Sequence, residues 1–164
     1  MKNAFVRNTL VASLLFASLS AAAGGNDVGN AANNLESRLK SLNGRTGKIV
    51  DTYDQDNTGK CSLEVEDYDY GDGSQGINVY LRDTGMYFEP SAGITDDADY
   101  QDANTVIVSK SSDRPGGDAC GDFGGAMGYK KILSLKGKKL TIRETFRCVL
   151  DGFEKYDIFT TCEF

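Results

Sequence analysis

The 164 residues carry 18 lysines and arginines against 24 aspartates and glutamates, a net charge of −6, and not one histidine. That balance argues against nucleic acid as a partner, because such binding rests on clustered cations meeting phosphates. The missing imidazole excludes Ser-His-Asp and Cys-His catalysis and histidine metal ligation.

The chain opens with Lys2 and Arg7, an apolar run from Leu10 to Leu19, and then Ser20-Ala21-Ala22-Ala23-Gly24. A charged start, a short hydrophobic stretch and small residues at the end form the pattern of a secretory signal peptide, here residues 1–23, cleaved after Ala23. A membrane anchor needs about 20 apolar residues, and this run is about half that. The expected mature chain, residues 24–164, is one disulfide-stabilised domain with net charge −8, since the leader holds two cations and no acid. No later run is apolar enough to insert into a membrane after cleavage. Periplasmic or secreted localisation follows.

Gly24 to Asn30 reads as a flexible start. Val28, Ala31, Ala32, Leu35, Leu39 and Leu42 recur at spacings of three and four, which predicts one amphipathic helix over about 30–42, stopped by Asn43-Gly44. Beyond it the apolar period falls to two. Strands are expected at 48–53, from Cys61 through Leu63 and Val65, and at Ile77, Val79 and Leu81, with turns at 55–59, 71–76 and 83–85. Tyr68 and Tyr70 sit on the opposite parity to Cys61, which predicts a bulge near Glu66-Asp67. Met86–Glu89 returns as a strand that Pro90 ends, and residues 90–103 read as an acidic loop. Thr105–Val108 follows, then a glycine-rich loop from Ser111 to Gly128, then a meander over 129–135, 140–150 and 154–164. The fold class is all-β: a small antiparallel barrel or sandwich of about eight strands with one short N-terminal helix.

Cys61, Cys120, Cys148 and Cys162 give an even count in an exported chain, hence two disulfides. A tight turn at Asp151-Gly152 sets Cys148 opposite residue 155 or 156, away from Cys162. Alternating strands bring Cys120 in the long loop and Cys148 at a strand end to the same end of the barrel, so Cys120–Cys148 is the favoured pair and Cys61–Cys162 is left by elimination. Up-and-down strands nevertheless put Cys61 and Cys162 at opposite ends, so the pairing and the strand assignment conflict.

Asp54-Gln55-Asp56-Asn57-Thr58-Gly59 offers oxygen ligands at alternate positions, Asp54, Asp56 and Thr58, with glycine at the bend, as calcium loops do. Calcium is the single cofactor candidate, and the match is partial, because Val65 stands where a bidentate glutamate belongs. A polar hairpin turn explains the same residues. Asp96, Asp97, Asp99 and Asp102 form a second, less regular acidic cluster. The glycine-rich loop has neither a G-x-G-x-x-G pattern nor a Gly-Lys-Ser/Thr ending, so it is no phosphate cradle. Tyr68, Tyr70, Tyr80 and Tyr87 fall opposite the aliphatic positions and could form an exposed aromatic patch for a partner or a carbohydrate.

Charge is segregated along the chain. From Asp51 to Asp102 there are 14 acidic residues and two basic ones, Lys60 and Arg82; from Tyr129 to Phe164 there are eight basic and five acidic. No catalytic constellation stands out. The expectation is a non-enzymatic binding or protein-interaction module, such as an acidic inhibitor of a basic hydrolase, whose partner is a basic protein or a small ligand. The alternatives are a carboxylate-dependent hydrolase and an envelope structural protein without a ligand.

Overall fold

The computed structural model describes residues 25–53, 59–69, 71, 73–86, 89–114, 120, 126–148 and 154–164. Among them lie one helix, α1 (Gly25–Leu42), and nine strands: β1 (Thr46–Thr52), β2 (Lys60–Asp69), β3 (Gln75–Arg82), β4 (Ser91–Thr95), β5 (Asp99–Asp102), β6 (Thr105–Arg114), β7 (Ala126–Lys136), β8 (Lys139–Cys148) and β9 (Glu154–Glu163). All pairings are antiparallel in one sheet of order β4-β3-β2-β1-β9-β8-β7-β6-β5.

The order itself requires curvature. β4 and β5 are the two outer strands of a nine-stranded sheet, yet only Asp96, Asp97 and Ala98 separate them. The sheet must curl until its edges meet at that connection, giving a half-barrel. On the far side of the gap the Lys131 ammonium of β7 donates to the Ser91 carbonyl of β4 at 3.0 Å.

β1 changes neighbours along its length. Thr46–Lys48 pairs with β2, whereas Lys48–Thr52 pairs with β9, with a register shift between Ile49 and Asp51. Gly47 marks the corner: a Cβ there would stand 2.5 Å from the Glu163 carbonyl oxygen and 2.8 Å from the Phe164 ring. Side-chain-free backbone is what lets the end of β9 come so close.

Inside the curl, Leu63, Val79, Leu81, Ile94, Leu133 and Leu140 are sealed from solvent. Leu35, Leu39 and Leu42 of α1, spaced by four and three, complete this cluster. The helix is tied at two points. Arg38 donates to Asn104 Oδ1 at 2.8 Å and to the Leu135 carbonyl at 2.9 Å, between β5 and β7. Asn43, just past the last turn, accepts from Val65 N at 2.8 Å and donates back to the Val65 carbonyl at 3.1 Å, so an amide side chain mimics a strand neighbour of β2. Gly44, at φ +75°, then reverses the chain into β1.

The disulfides are Cys61–Cys162, with Cα atoms 6.4 Å apart, and Cys120–Cys148, at 5.5 Å. β2 and β9 both run antiparallel to β1 and so run the same way on its two sides. In a flat sheet such strands lie about 9.5 Å apart; the fold at β1 shortens the span enough for a disulfide. The end-to-end conflict vanishes because β1 moves from one neighbour to the other and the halves are offset along the strands.

Several expectations are corrected. α1 begins at Gly25, so the Gly/Asn stretch belongs to the helix, where no proline interrupts it. No bulge interrupts β2: the register from Ser62↔Arg82 to Asp69↔Gln75 is continuous, and Tyr68 simply faces outward. The register shifts fall instead in β1, β5–β6 and β7. The segment 90–103, read as a loop, holds β4 and β5, and Pro90 precedes a strand rather than ending one. Before a strand, proline's missing N–H removes no ladder bond, and its carbonyl accepts from Leu81 N at 2.8 Å. β6 runs on to Arg114, and Cys148 faces Glu154, not residue 155 or 156.

Candidate functional site

The calcium-loop residues Asp54, Asp56 and Thr58, together with Tyr70, Tyr87 and most of the glycine-rich loop, lie outside the described residues. The second acidic cluster sits in the β4–β5 connection and β5. Its carboxylates serve local donors: Asp97 accepts from Thr95 Oγ1, Asp99 from Gln101 at 2.8 Å, and Asp102 from Asn104 N at 2.7 Å. Among the described residues no group of three or more His, Cys, Asp or Glu side chains converges as a metal site.

The inner wall of the half-barrel carries one polar layer. Lys131 on β7 and Glu144 on β8 are directly opposed and form an ion pair at 2.6 Å, both largely shielded from water. Tyr129 donates to the same carboxylate at 3.1 Å. Beyond them lies a smaller apolar cluster of Tyr129, Phe146 and Cys148 with Cys120, Tyr156 and Ile158, in which the Phe146 and Tyr156 rings stack with centroids 5.3 Å apart. This layer separates two apolar clusters and braces β7 against β4 through Ser91. It was missed in the sequence although a signal was there: Lys131 and Glu144 are opposite charges at inward parity, among Leu133, Leu135, Ile142 and Phe146.

The outer face of β2, β3 and β4 has a different chemistry. Alternation sends Glu64, Glu66 and Tyr68 of β2 and Asn78, Tyr80 and Arg82 of β3 outward, while Leu63, Val65, Ile77, Val79 and Leu81 face the core. Tyr68 and Tyr80, two of the four expected aromatic positions, therefore share this face. Arg82 lies over the Tyr80 ring, its guanidinium carbon 4.3 Å from the centroid. Its Nε meets Glu64 Oε2 at 2.6 Å and its Nη1 meets Glu89 Oε2 at 2.6 Å. The hydrogen bonds to Glu89 and Glu64 hold the Arg82 pKa above its ordinary value. At the rim, Lys40 of α1 pairs with Asp67 at 2.6 Å, and that hydrogen bond raises the lysine's pKa. The Asp69 carboxylate accepts from Gly71 N at 2.8 Å.

Comparison with known protein families and with curated proteins finds no match to this chain. The site must therefore be read from its own chemistry. The inner wall is packed with aliphatic side chains and plugged by the α1 leucines. The outer face of β2–β4 carries Glu64, Glu66 and Tyr68 of β2, Asn78, Tyr80 and Arg82 of β3, and Ser91, Gly93 and Thr95 of β4. The two disulfides fit an oxidising environment.

Proposed function

We propose that this protein is an exported, non-enzymatic interaction module that docks a basic protein, in the manner of an acidic inhibitor of a cationic hydrolase, on the outer face of β2 and β3. The observation that carries the reading is the occupied interior: with Leu35, Leu39 and Leu42 filling the curl, the open chemistry lies on the outside of the sheet. There Glu64, Glu66, Tyr68 and Tyr80 project from paired strands, a rigid support for recognition, with Glu64 and Tyr80 engaged by Arg82 and Glu66 exposed. Aromatic residues supply contact area, and carboxylates steer a cationic partner. The leader at residues 1–23 and the disulfides point to a periplasmic or extracellular place of action. A carboxylate hydrolase is less well supported on this face, since Glu64 and Glu89 are both engaged by Arg82.

The test is calorimetric titration with a cationic lysozyme and with an acidic protein of similar size. Binding to the first alone, weakening by about tenfold or more between 50 and 200 mM salt as screening grows, supports the reading. Reversing two charges, with Glu64→Lys and Glu66→Lys together, should abolish it. Binding unaffected by salt and by the double variant would overturn the assignment to this face.

A further inference from the structure

The strand register places one line of charged side chains across five neighbouring strands. Lys60 of β2 stands opposite Lys48 of β1, Lys48 opposite Glu163 of β9, Glu163 opposite Lys139 of β8, and Lys139 opposite Lys136 of β7. Each lies next in sequence to a buried residue: Cys61, Ile49, Cys162, Leu140 and Leu135 respectively for Lys60, Lys48, Glu163, Lys139 and Lys136. Alternation therefore turns all five outward, and all five are exposed. Adjacent strands are about 4.8 Å apart, so the row runs roughly 19 Å around the outside of the curl. Lys138, exposed in the turn that joins β7 to β8, extends it.

Glu163 is the one acid in the row, and Lys139 meets it at 3.8 Å. Among the described residues no acid pairs with Lys48, Lys60, Lys136 or Lys138. Two of the cross-strand pairs, Lys60 with Lys48 and Lys139 with Lys136, set like charges directly opposite each other, which destabilises a sheet. A local rule broken without internal compensation is what a binding surface looks like.

Two residues further along, a second row lies parallel to the first on the same face. Thr105, Ser134, Thr141 and Thr161 stand opposite one another in turn across β6, β7, β8 and β9. The hydroxyls of Thr105 and Ser134 are 3.3 Å apart and those of Thr141 and Thr161 2.9 Å apart. Asp51 of β1 stands opposite Thr161, so the hydroxyl row ends in an acid.

We propose that these two rows bind a linear acidic polysaccharide, its carboxylates against the lysines and its hydroxyls against the threonines and Ser134. The site goes beyond the docking reading above and uses other residues, so either can fail without the other. Lysine suits a repeating polymer, because a compact ammonium on a flexible stem accepts anions at varied spacing, whereas arginine favours one fixed bidentate geometry. The acidic balance of the whole chain does not oppose this, since exposed charges more than about 8 Å apart are largely screened at physiological salt. A lipid bilayer is flat and meets a convex row over part of its length; a flexible polymer follows the curve.

The experiment titrates the disulfide-bonded protein with polygalacturonate, neutral dextran, inorganic polyphosphate, and vesicles of phosphatidylglycerol and phosphatidylcholine. Polygalacturonate should bind and dextran should not. Lys48→Gln, Lys60→Gln and Lys136→Gln together should weaken polygalacturonate by about tenfold or more, at about threefold for each exposed charge contact. Lys110→Gln, Arg147→Gln and Lys155→Gln, which remove three exposed cations off the row, should change it by less than about twofold. Thr141→Val with Thr161→Val should weaken polygalacturonate by about threefold, the scale of a lost hydrogen bond, and leave polyphosphate, which has no sugar hydroxyls, unchanged. All substituted positions lie on the outer face, and unchanged melting temperatures check the fold. No binding of polygalacturonate, or equal loss in the two triple variants, would overturn the site. An equal effect of the valine pair on both polymers, or none on polygalacturonate, would overturn the role of the hydroxyl row. Binding to vesicles with none to polygalacturonate would replace the polysaccharide by a membrane surface.

Discussion

Asp157 shows how a single surface residue couples this protein to pH. Its carboxylate accepts from Arg143 Nε at 2.7 Å, and that hydrogen bond holds its pKa below the usual aspartate value against a smaller opposing effect of burial. A depressed folded pKa means that the stabilisation is present above the unfolded aspartate pKa of about 3.9 and is lost as pH falls through the lower folded value. The arginine keeps its charge throughout, so the carboxylate alone titrates. Both side chains touch water, which limits the pair to under about 1 kcal/mol. Asp157→Asn should therefore lower the melting temperature slightly at pH 6, and the gap from wild type should close toward pH 2. Melting curves at intervals of half a pH unit check this; a constant gap down to pH 2 would contradict it. Tyr100 is the residue-scale opposite. Burial, first, and then Glu36, whose carboxylate accepts its hydroxyl at 3.1 Å, raise the phenol's pKa, so it should ionise only at a higher pH than a free tyrosine as alkali is added.

At the scale of elements, α1 is the structural wedge. Leu39 is fully buried among strands from both halves of the sheet. Leu39→Ala should cost about 2–5 kcal/mol, the range for truncating a sealed leucine, measured as a shift of the urea midpoint. A cost under about 1 kcal/mol would mean that the helix is not integral to the core. The helix stripe was plain in the sequence because a 3.6-residue period holds from Val28 to Leu42. β2, β3, β7, β8 and β9 were equally plain, each with three or more alternating apolar positions. β4 was hidden: a five-residue strand has room for just two inward apolar residues, Ala92 and Ile94, and here they follow a proline and precede four aspartates. β5 offered less still, one tyrosine among Asp99, Gln101 and Asp102. The stack of Arg82 on Tyr80 was illegible for another reason. Period-two reasoning says which face a residue takes, but Glu89, the third member, arrives from the segment before β4.

For the molecule as a whole, the covalent link that matters most is Cys61–Cys162, which closes a span of 101 residues. It joins β2 to β9 across the fold at β1, where the two halves of the sheet share one strand. Replacing both cysteines by alanine should lower stability by about 2–5 kcal/mol, read from chemical unfolding under non-reducing conditions. Removing the Cys120–Cys148 bridge, with its separation of 28, should cost less, because a shorter loop constrains the unfolded chain less. The reverse ranking would show that strain in the folded form, not the unfolded chain, governs the larger bridge. Charge segregation also becomes visible at this scale. The acidic stretch builds β2 to β5 and the basic one β7 to β9, so the two halves of the sheet differ in charge.

The position of β9 between β1 and β8 carries a consequence for how the protein comes into being. Until Glu154–Glu163 has been synthesised, β1–β4 and β5–β8 have no strand to join them, and Cys61 has no native partner. Their contact spans more than half the chain, a separation that slows folding. In that interval the thiols of Cys120 and Cys148 are within reach of Cys61, and the order in which segments emerge favours the wrong bond. Oxidative refolding of the reduced chain should therefore be slow and should speed up when a thiol–disulfide isomerase is added.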